Sequence, residues 1–121
     1  MTTYVVLLTG DERTWEDASP EERASMYARH DEFSRLLEER GHQVTGGAEL
    51  AHSRTAKVVR KAAADGDAIT VTDGPYVESV EQVGGFYVVE SDDLDDLLEV
   101  CGVLASLEDG VEVRATVAHD G

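Results

Sequence analysis

One histidine of this sequence lies where an imidazole could do acid–base chemistry. His30 falls between Met26 and Phe33 in a segment whose apolar residues recur at helical spacing, so its ring is predicted to face the interior. A partly buried imidazole titrates near neutral pH and can act as a general base or orient a ligand. The alternative, which the residues alone favour, is a core histidine hydrogen-bonded to a neighbouring polar group.

A second group of candidate residues follows a predicted turn at Asp73-Gly74-Pro75. Tyr76, Glu78 and Glu81 come next, which places an aromatic ring and three carboxylates within nine residues. Neighbouring carboxylates can raise one another's pKa, as acid–base chemistry requires. The alternative is an ordinary tight turn followed by solvated carboxylates.

Three arginines lie in or beside predicted strands of this acidic chain. Arg60 is a candidate for binding an anionic substrate or neutralising Asp73, as are Arg54 and Arg114. A surface ion pair is the alternative, and we favour it for Arg54.

The sequence lacks the spacings that would indicate a cofactor or a metal ion. Gly84-Gly85 does not have the spacing of a phosphate-binding glycine loop. His42, His52 and His119 do not form a recognisable metal-ligand pattern, and the single cysteine, Cys101, cannot build a CxxC site or an intrachain disulfide. We therefore expect no cofactor and no metal.

The segment that positions His30 has strong helix signals at both ends. Ser19 is a predicted N-cap, Pro20 suits the first helical position, and Glu22 completes a capping box. Gly41 is the predicted C-terminal stop, so we expect a helix from Pro20 to about Arg40. A second helix is predicted after Asp92 or Asp93, with leucines and Cys101 on its apolar face.

The remaining pattern is that of short strands. Two of them are predicted to form a hairpin around a turn at Asp65-Gly66-Asp67. Gly46-Gly47 predicts a bulge or a bend in the second strand. The predicted strands are Tyr4–Thr9, Val44–Ala51, Thr55–Arg60, Ala68–Thr72, Gly85–Glu90 and Val111–Val117.

The order of these elements is β-α-β, hairpin, β-α-β, which predicts one α+β domain over residues 1–121 with a ferredoxin-like sandwich fold. Both helices of such a fold cover the same face of the sheet. The other face has to be covered, and a second copy of the chain is the simplest cover. We therefore expect a homodimer.

The charge of the chain excludes several classes of partner. Ten Lys and Arg against 26 Asp and Glu give a net charge of −16, which repels phosphate backbones and anionic membranes. Only two of the cations are lysines, Lys57 and Lys61.

No apolar run is long enough to span a bilayer and no signal peptide is evident, so we expect a cytoplasmic location.

A series of short motifs follows a fixed order along the chain. The motifs are Gly10-Asp11-Glu12, Ser19-Pro20-Glu21-Glu22, His30 with Phe33, Gly46-Gly47-Ala48-Glu49-Leu50, Val71 to Glu78, Glu81, Gly84-Gly85-Phe86-Tyr87, Asp93-Leu94-Asp95 and Val111-Glu112-Val113-Arg114. In this order of motifs the chain resembles the YCII-related family, in the branch with a DGPF domain, and the resemblance covers nearly the whole chain. Two positions depart from the family pattern: Tyr76 replaces the phenylalanine of the family name, and Val80 stands where a lysine is common.

The resemblance implies a dimeric α/β-barrel built from ferredoxin-like halves. It also implies that His30 and Asp73 line a pocket as an enzymatic dyad, in a fold similar to that of muconolactone isomerases. Some members of the family are encoded beside alternative sigma factors. Three hypotheses stay open: an enzyme that moves a proton by isomerase- or lyase-like chemistry, a module that binds a small ligand or a protein partner, and a purely structural dimer.

Overall fold

A computed structural model of the chain describes residues 1–119. Three helices, six strands and a 3-10 turn at Ser53–Thr55 follow one another within this range. In chain order the helices and strands are β1 (Thr2–Asp11), α1 (Glu12–Glu16), α2 (Pro20–Glu39), β2 (Gln43–Glu49), β3 (Lys57–Lys61), β4 (Ile69–Asp73), β5 (Glu81–Ser91), α3 (Leu94–Cys101) and β6 (Val111–Ala115).

Four of the strands form one antiparallel sheet in the order β2-β5-β1-β6. With α2 and α3 in the two crossovers, this is the strand order of a ferredoxin-like α+β fold, so the fold prediction is confirmed. The bulge predicted at Gly46-Gly47 is also present, because the register of β2 against β5 shifts between Val44 and Gly46.

The predicted ends of helix α2 are confirmed. The Ser19 hydroxyl accepts a hydrogen bond from the Glu22 backbone N–H at 3.1 Å, and the Glu22 carboxylate accepts one from the Ser19 N–H at 3.3 Å. Gly41 follows the last turn at φ +84°, a left-handed conformation that glycine adopts without a Cβ penalty.

The core lies between one face of the sheet and the helices α2 and α3. Its buried side chains are those of Val6, Phe33, Leu37, Val89, Leu97, Val100 and Cys101. Because side chains alternate along a strand, the cross-strand pairs Val5–Val88 and Leu7–Phe86 lie on the opposite face. We call this second surface the open face of the sheet.

The predicted hairpin is present as a separate two-stranded sheet of β3 and β4. We call residues 57–73 the hairpin arm. Every residue of β4 is exposed, as are four of the five residues of β3. The arm therefore buries little of its surface against the rest of the described chain.

The segment between β1 and α2 is partly helical, which the sequence did not predict. It contains the short helix α1, which Asp11 caps by accepting a hydrogen bond from the Arg13 backbone N–H. The ring of Trp15 in this helix packs edge-on against Tyr27 of α2, at 5.3 Å between centroids. A helix of five residues is too short to show an apolar period in the sequence.

Candidate functional site

A cavity of about 610 Å³ opens at the end of the sheet where β1 and β2 finish and β5 begins. Helix α1 and the first half of α2 form its other walls. The lining is mixed, with aromatic rings beside charged groups. Its aromatic residues are Trp15, Tyr27, Phe86 and Tyr87, and its charged or titratable residues are Asp11, Glu12, Glu16, Arg23, Arg29, His30, Glu49, His52, Arg54 and Asp109.

His30 lines this cavity from α2, half-buried as its helical position predicts. Its Nδ1 lies 2.8 Å from the hydroxyl oxygen of Tyr87 on β5, and the two rings stack with 5.9 Å between centroids. The ring of Phe33 also packs against Tyr87, with 5.1 Å between centroids. The imidazole is therefore held in one orientation by a core-anchored tyrosine.

Burial sets the protonation state of this pair. Desolvation lowers the pKa of His30 below its ordinary value, and the positive charge of Arg29 lowers it further. Burial also raises the pKa of Tyr87, against a smaller opposite effect of its hydrogen bond with Ser34. At neutral pH the pair is consequently a neutral imidazole beside a protonated phenol, which suits the imidazole to accept a proton.

A second histidine lies at the mouth of the cavity. The Nδ1 of His52 accepts a hydrogen bond from the Arg54 backbone N–H at 3.0 Å, so the ring proton is on Nε2, which lies 3.2 Å from Glu16 Oε1. Glu16 also pairs with the Arg54 guanidinium, which lowers the pKa of the Glu16 carboxyl. Glu12 accepts hydrogen bonds from the backbone N–H and hydroxyl of Ser53. These contacts tie the 3-10 turn to α1.

The arginines of the cavity already have partners in the chain. Arg23 donates to the carbonyl oxygen of Trp15 at 3.0 Å, and its guanidinium lies 5.0 Å from the centroid of the Trp15 ring. Arg29 donates to the carbonyl oxygen of Val103 at 3.2 Å. A ligand with an anionic group would have to compete with these contacts.

The structure does not bring Asp73 to His30. Asp73 ends β4 in the hairpin arm, where its carboxylate accepts a hydrogen bond from the Lys57 ammonium, which lowers its pKa. The Asp73 side chain is 78% exposed, while the hydrogen-bond partner of His30 within residues 1–119 is Tyr87. The contact between His30 and Asp73 that the implied dyad requires is therefore absent within residues 1–119, because the pairing of β3 with β4 directs Asp73 to Lys57. The catalytic role of Asp73 remains a prediction.

The predicted substrate-binding residues also lie apart from His30. Arg60 projects from the hairpin arm and its guanidinium lies over the Tyr76 ring, 4.9 Å from the centroid. Glu78 is exposed in the connection to β5. Glu81 begins β5 opposite Asp11 and lines a smaller depression beside the main cavity. The binding roles of these four residues remain predictions.

Elsewhere in the protein, Ser91, His42 and Asp96 form a buried row of hydrogen bonds, and its role is structural. His42 Nδ1 lies 2.8 Å from Ser91 Oγ and its Nε2 lies 2.7 Å from Asp96 Oδ2. Ser91 is 1% exposed and exchanges hydrogen bonds with the backbone of Asp93, so no substrate can reach its hydroxyl. These hydrogen bonds join the start of β2 to the first turn of α3.

Other reactive groups of the described part of the chain are no better placed. Burial raises the pKa of the Cys101 thiol to about 11, which keeps it protonated and unreactive. Residues 1–119 contain no group of three or more His, Cys, Asp or Glu side chains arranged to hold a metal ion.

None of the helices in that range is long and apolar enough to cross a membrane.

The model of the YCII-related domain matches residues 2–118, which is nearly the whole chain. The chain therefore belongs to the YCII-related family, as its sequence motifs predicted. No curated protein matches it.

Proposed function

We propose that the chain is a small-molecule enzyme in which His30 moves a proton on a substrate bound in the cavity. The observation that supports this most is the pairing of His30 with Tyr87 in the cavity wall, at 2.8 Å. If Nδ1–H donates to the Tyr87 oxygen, the lone pair of Nε2 is free to accept a proton. No second residue within 1–119 hydrogen-bonds this ring.

The chemistry that this arrangement suits is proton abstraction next to a carbonyl group, as in an isomerisation or an elimination. A neutral imidazole with a lowered pKa is a base at neutral pH, and its protonated form can return the proton to another atom of the substrate. Tyr87 is a positioning residue in this proposal, because it fixes the ring without touching the reacting atoms. The dyad with Asp73 would need a rearrangement of the hairpin arm.

A binding module is the second candidate. It is favoured by the position of Asp73, whose ion pair with Lys57 leaves His30 without an acidic partner within the described residues. In that case the cavity would hold a small ligand without changing it.

The single tryptophan of the chain allows binding and chemistry to be measured separately. Trp15 lines the cavity, so its fluorescence should report a bound ligand directly. A panel of small lactones and enolisable ketones would be tested for fluorescence change and for exchange of the α-proton in D₂O, followed by NMR. For the enzyme we expect His30→Gln to keep binding and lose exchange, with His119→Gln as the control.

The outcomes separate the two candidates. Binding without exchange in the unaltered protein would identify a binding module. Exchange that survives in His30→Gln would contradict the assignment of the base. Absence of both signals across the panel would count against a small-molecule site in this cavity.

The proposed form of the protein is a homodimer that packs its open faces together. The apolar pairs Val5–Val88 and Leu7–Phe86 lie at the centre of this face, and Glu112 and Arg114 of β6 lie at its edge. Leu7→Asp should give a folded monomer in sedimentation velocity, because it places a charge at the centre of the interface. A dimer of unchanged stability in that variant would contradict this arrangement.

A further inference from the structure

The hairpin arm exposes apolar side chains on an ordered element. Val59 and Val71 are directly opposite each other in the register of β3 and β4, and Ile69 is opposite Lys61. Because residues two apart along a strand share a face, these side chains form one surface, which we call the arm face. Val59, Ile69 and Val71 are each more than half exposed. An isolated two-stranded hairpin is marginal in water unless it packs against something.

The arm is also held in shape by contacts at its base. The Lys57–Asp73 ion pair joins its two strands at that end. The Gly74 backbone N–H donates to the Ala56 carbonyl oxygen at 2.8 Å. Further along β3, toward the turn, the Arg60 guanidinium lies over the ring of Tyr76. The arm face is therefore presented in a defined geometry, which favours a docking element over a loose loop.

The arm differs in charge from the rest of the chain. Residues 57–73 contain three cations and three carboxylates, so the arm is neutral and the other residues account for the whole net charge of −16. Both lysines of the chain are in β3. Lys61 lies on the arm face and makes no ion pair with any carboxylate within residues 1–119. The arm is thus the part of the chain that can approach an acidic partner without repulsion.

We propose that the hairpin arm docks on the body of a second copy of this chain, burying Val59, Ile69 and Val71 and placing Lys61 against acidic groups of that copy. Charge complementarity favours this occupant, because every copy offers an arm face with the unpaired cation Lys61 and a body that carries the whole net charge of −16. The arm also leaves the sheet between β2 and β5, and β5 contributes Phe86 and Val88 to the open face. It therefore adjoins the proposed dimer face in the chain, and the inference rests on the proposal that the chain forms a homodimer.

The apolar part of the contact can be tested with an isosteric change. Val59→Thr with Val71→Thr keeps side-chain shape and strand preference, so the hairpin itself should be retained. If the arm face is buried against a second copy, the two hydroxyls should weaken association by about tenfold or more, as measured by sedimentation equilibrium. Val117→Thr, at an exposed valine outside the strands, is the matched control and should change nothing.

The charged part can be tested through its salt dependence. Lys61→Gln should weaken association about threefold to tenfold at low ionic strength and leave it nearly unchanged at about 1 M salt, where the screening length is about 3 Å. Arg35→Gln, on the exposed surface of α2 where Arg35 pairs with Glu39, is the control. An equal effect of Lys61→Gln at both salt concentrations would contradict a charge contact with the second copy.

Hydrogen exchange of the arm amides distinguishes the remaining possibilities. Docking on a second copy predicts that protection of β3 and β4 rises at protein concentrations where the dimer forms, beyond the protection that the hairpin's own hydrogen bonds give. Protection that does not change with protein concentration would mean that the arm makes no contact with a second copy. That result overturns the inference.

The experiment also separates this inference from the proposed dimer. A chain that is monomeric at all accessible concentrations overturns both. If Leu7→Asp abolishes the dimer while the Val59→Thr, Val71→Thr variant dimerises normally, the open face stands and the arm contact fails. If Leu7→Asp has no effect and the arm variant dissociates, the arm contact stands and the open-face arrangement fails.

Discussion

At the residue scale, the site depends on a hydrogen bond between groups that are far apart in the chain. The periodicity of α2 was enough to predict that His30 faces inward, because Met26, Phe33 and Leu37 define the apolar side of the helix. The partner could not be predicted in the same way. Tyr87 is separated from His30 by 57 residues, and only the pairing of β5 with β1 places its hydroxyl beside the ring.

The absence of a contact between His30 and Asp73 has a physical reason. Asp73 is opposite Lys57 in the register of the hairpin, and that neighbour is fixed by the length of the turn between β3 and β4. An oppositely charged side chain directly across a strand pair is a close partner. The sequence predicted the hairpin but not its register, so the ion pair was missed.

The pH dependence of stability should report the environment of His30. Its pKa is lowered from an unfolded value near 6.5, mainly by burial. The unfolded chain therefore binds more protons just below that pH, and the contribution of His30 to stability is complete above about pH 6.5 and is lost as the pH falls. Urea unfolding of wild type and His30→Gln between about pH 5 and 7.5 should show a steeper rise with pH in wild type.

The matched control for this experiment is Asp73→Asn. The pKa of Asp73 is lowered from 3.8 by its hydrogen bond with Lys57, so its contribution is present above that value and falls away only in more acidic solution. The control should follow wild type between about pH 5 and 7.5. Parallel curves for wild type and His30→Gln would show that folding does not change the proton affinity of His30.

Removal of the Tyr87 hydroxyl should loosen the imidazole without disturbing the core. Tyr87→Phe keeps the ring that packs on Phe33 but deletes the group 2.8 Å from His30 Nδ1. We expect a loss of about 1 kcal/mol in unfolding free energy and a change in the tautomer signals of His30 in ¹⁵N NMR. Tyr4→Phe is the control, and similar losses in both variants would argue that the hydrogen bond contributes nothing specific.

At the element scale, the sequence predicted long helices and strands well and short or irregular segments poorly. Helix α2 has a capping box, an N-terminal proline and a C-terminal glycine, and these local signals act independently of the fold. Helix α1 depends on Asp11 and on packing of Trp15 against Tyr27, which belongs to another helix. Its existence is a tertiary effect, although it forms one wall of the cavity.

The capping box of α2 should be important for the site as well as for stability. Ser19→Ala removes the acceptor for the Glu22 N–H and should cost about 1 kcal/mol of unfolding free energy in a urea titration. The first turns of α2 position Arg23 and Tyr27 in the cavity wall, so ligand-induced change in Trp15 fluorescence should also weaken. Ser25→Ala, at an exposed interior position of the same helix, should be neutral or slightly stabilising. A loss as large in Ser25→Ala would contradict the capping explanation.

At the scale of the whole molecule, the open face of the sheet and the net charge of the chain have opposite effects on association. The open face of the sheet favours association, because apolar strand residues on an uncovered face gain from being removed from water. The net charge of −16 opposes association, because each copy repels the next. The fold and the charge could be predicted from the sequence, whereas the exposure of the apolar side chains of the arm depends on how the hairpin packs against the rest of the chain.

Salt should therefore stabilise this protein. Within one chain, 16 excess negative charges on 121 residues repel one another in the folded state more than in the expanded unfolded state. Screening shortens the reach of this repulsion to about 10 Å at 0.1 M salt and about 3 Å at 1 M. We expect the Tm to rise between about 0.05 M and 1 M potassium chloride, with most of the rise at the lower concentrations, where the screening length changes most.

Sodium sulfate would add exclusion from apolar surface, so potassium chloride is the better reagent for isolating screening. The surface ion pairs, such as Arg35–Glu39, oppose the effect only weakly because exposed pairs contribute little. A Tm that is flat or falls over this range would mean that local ion pairs outweigh the net repulsion.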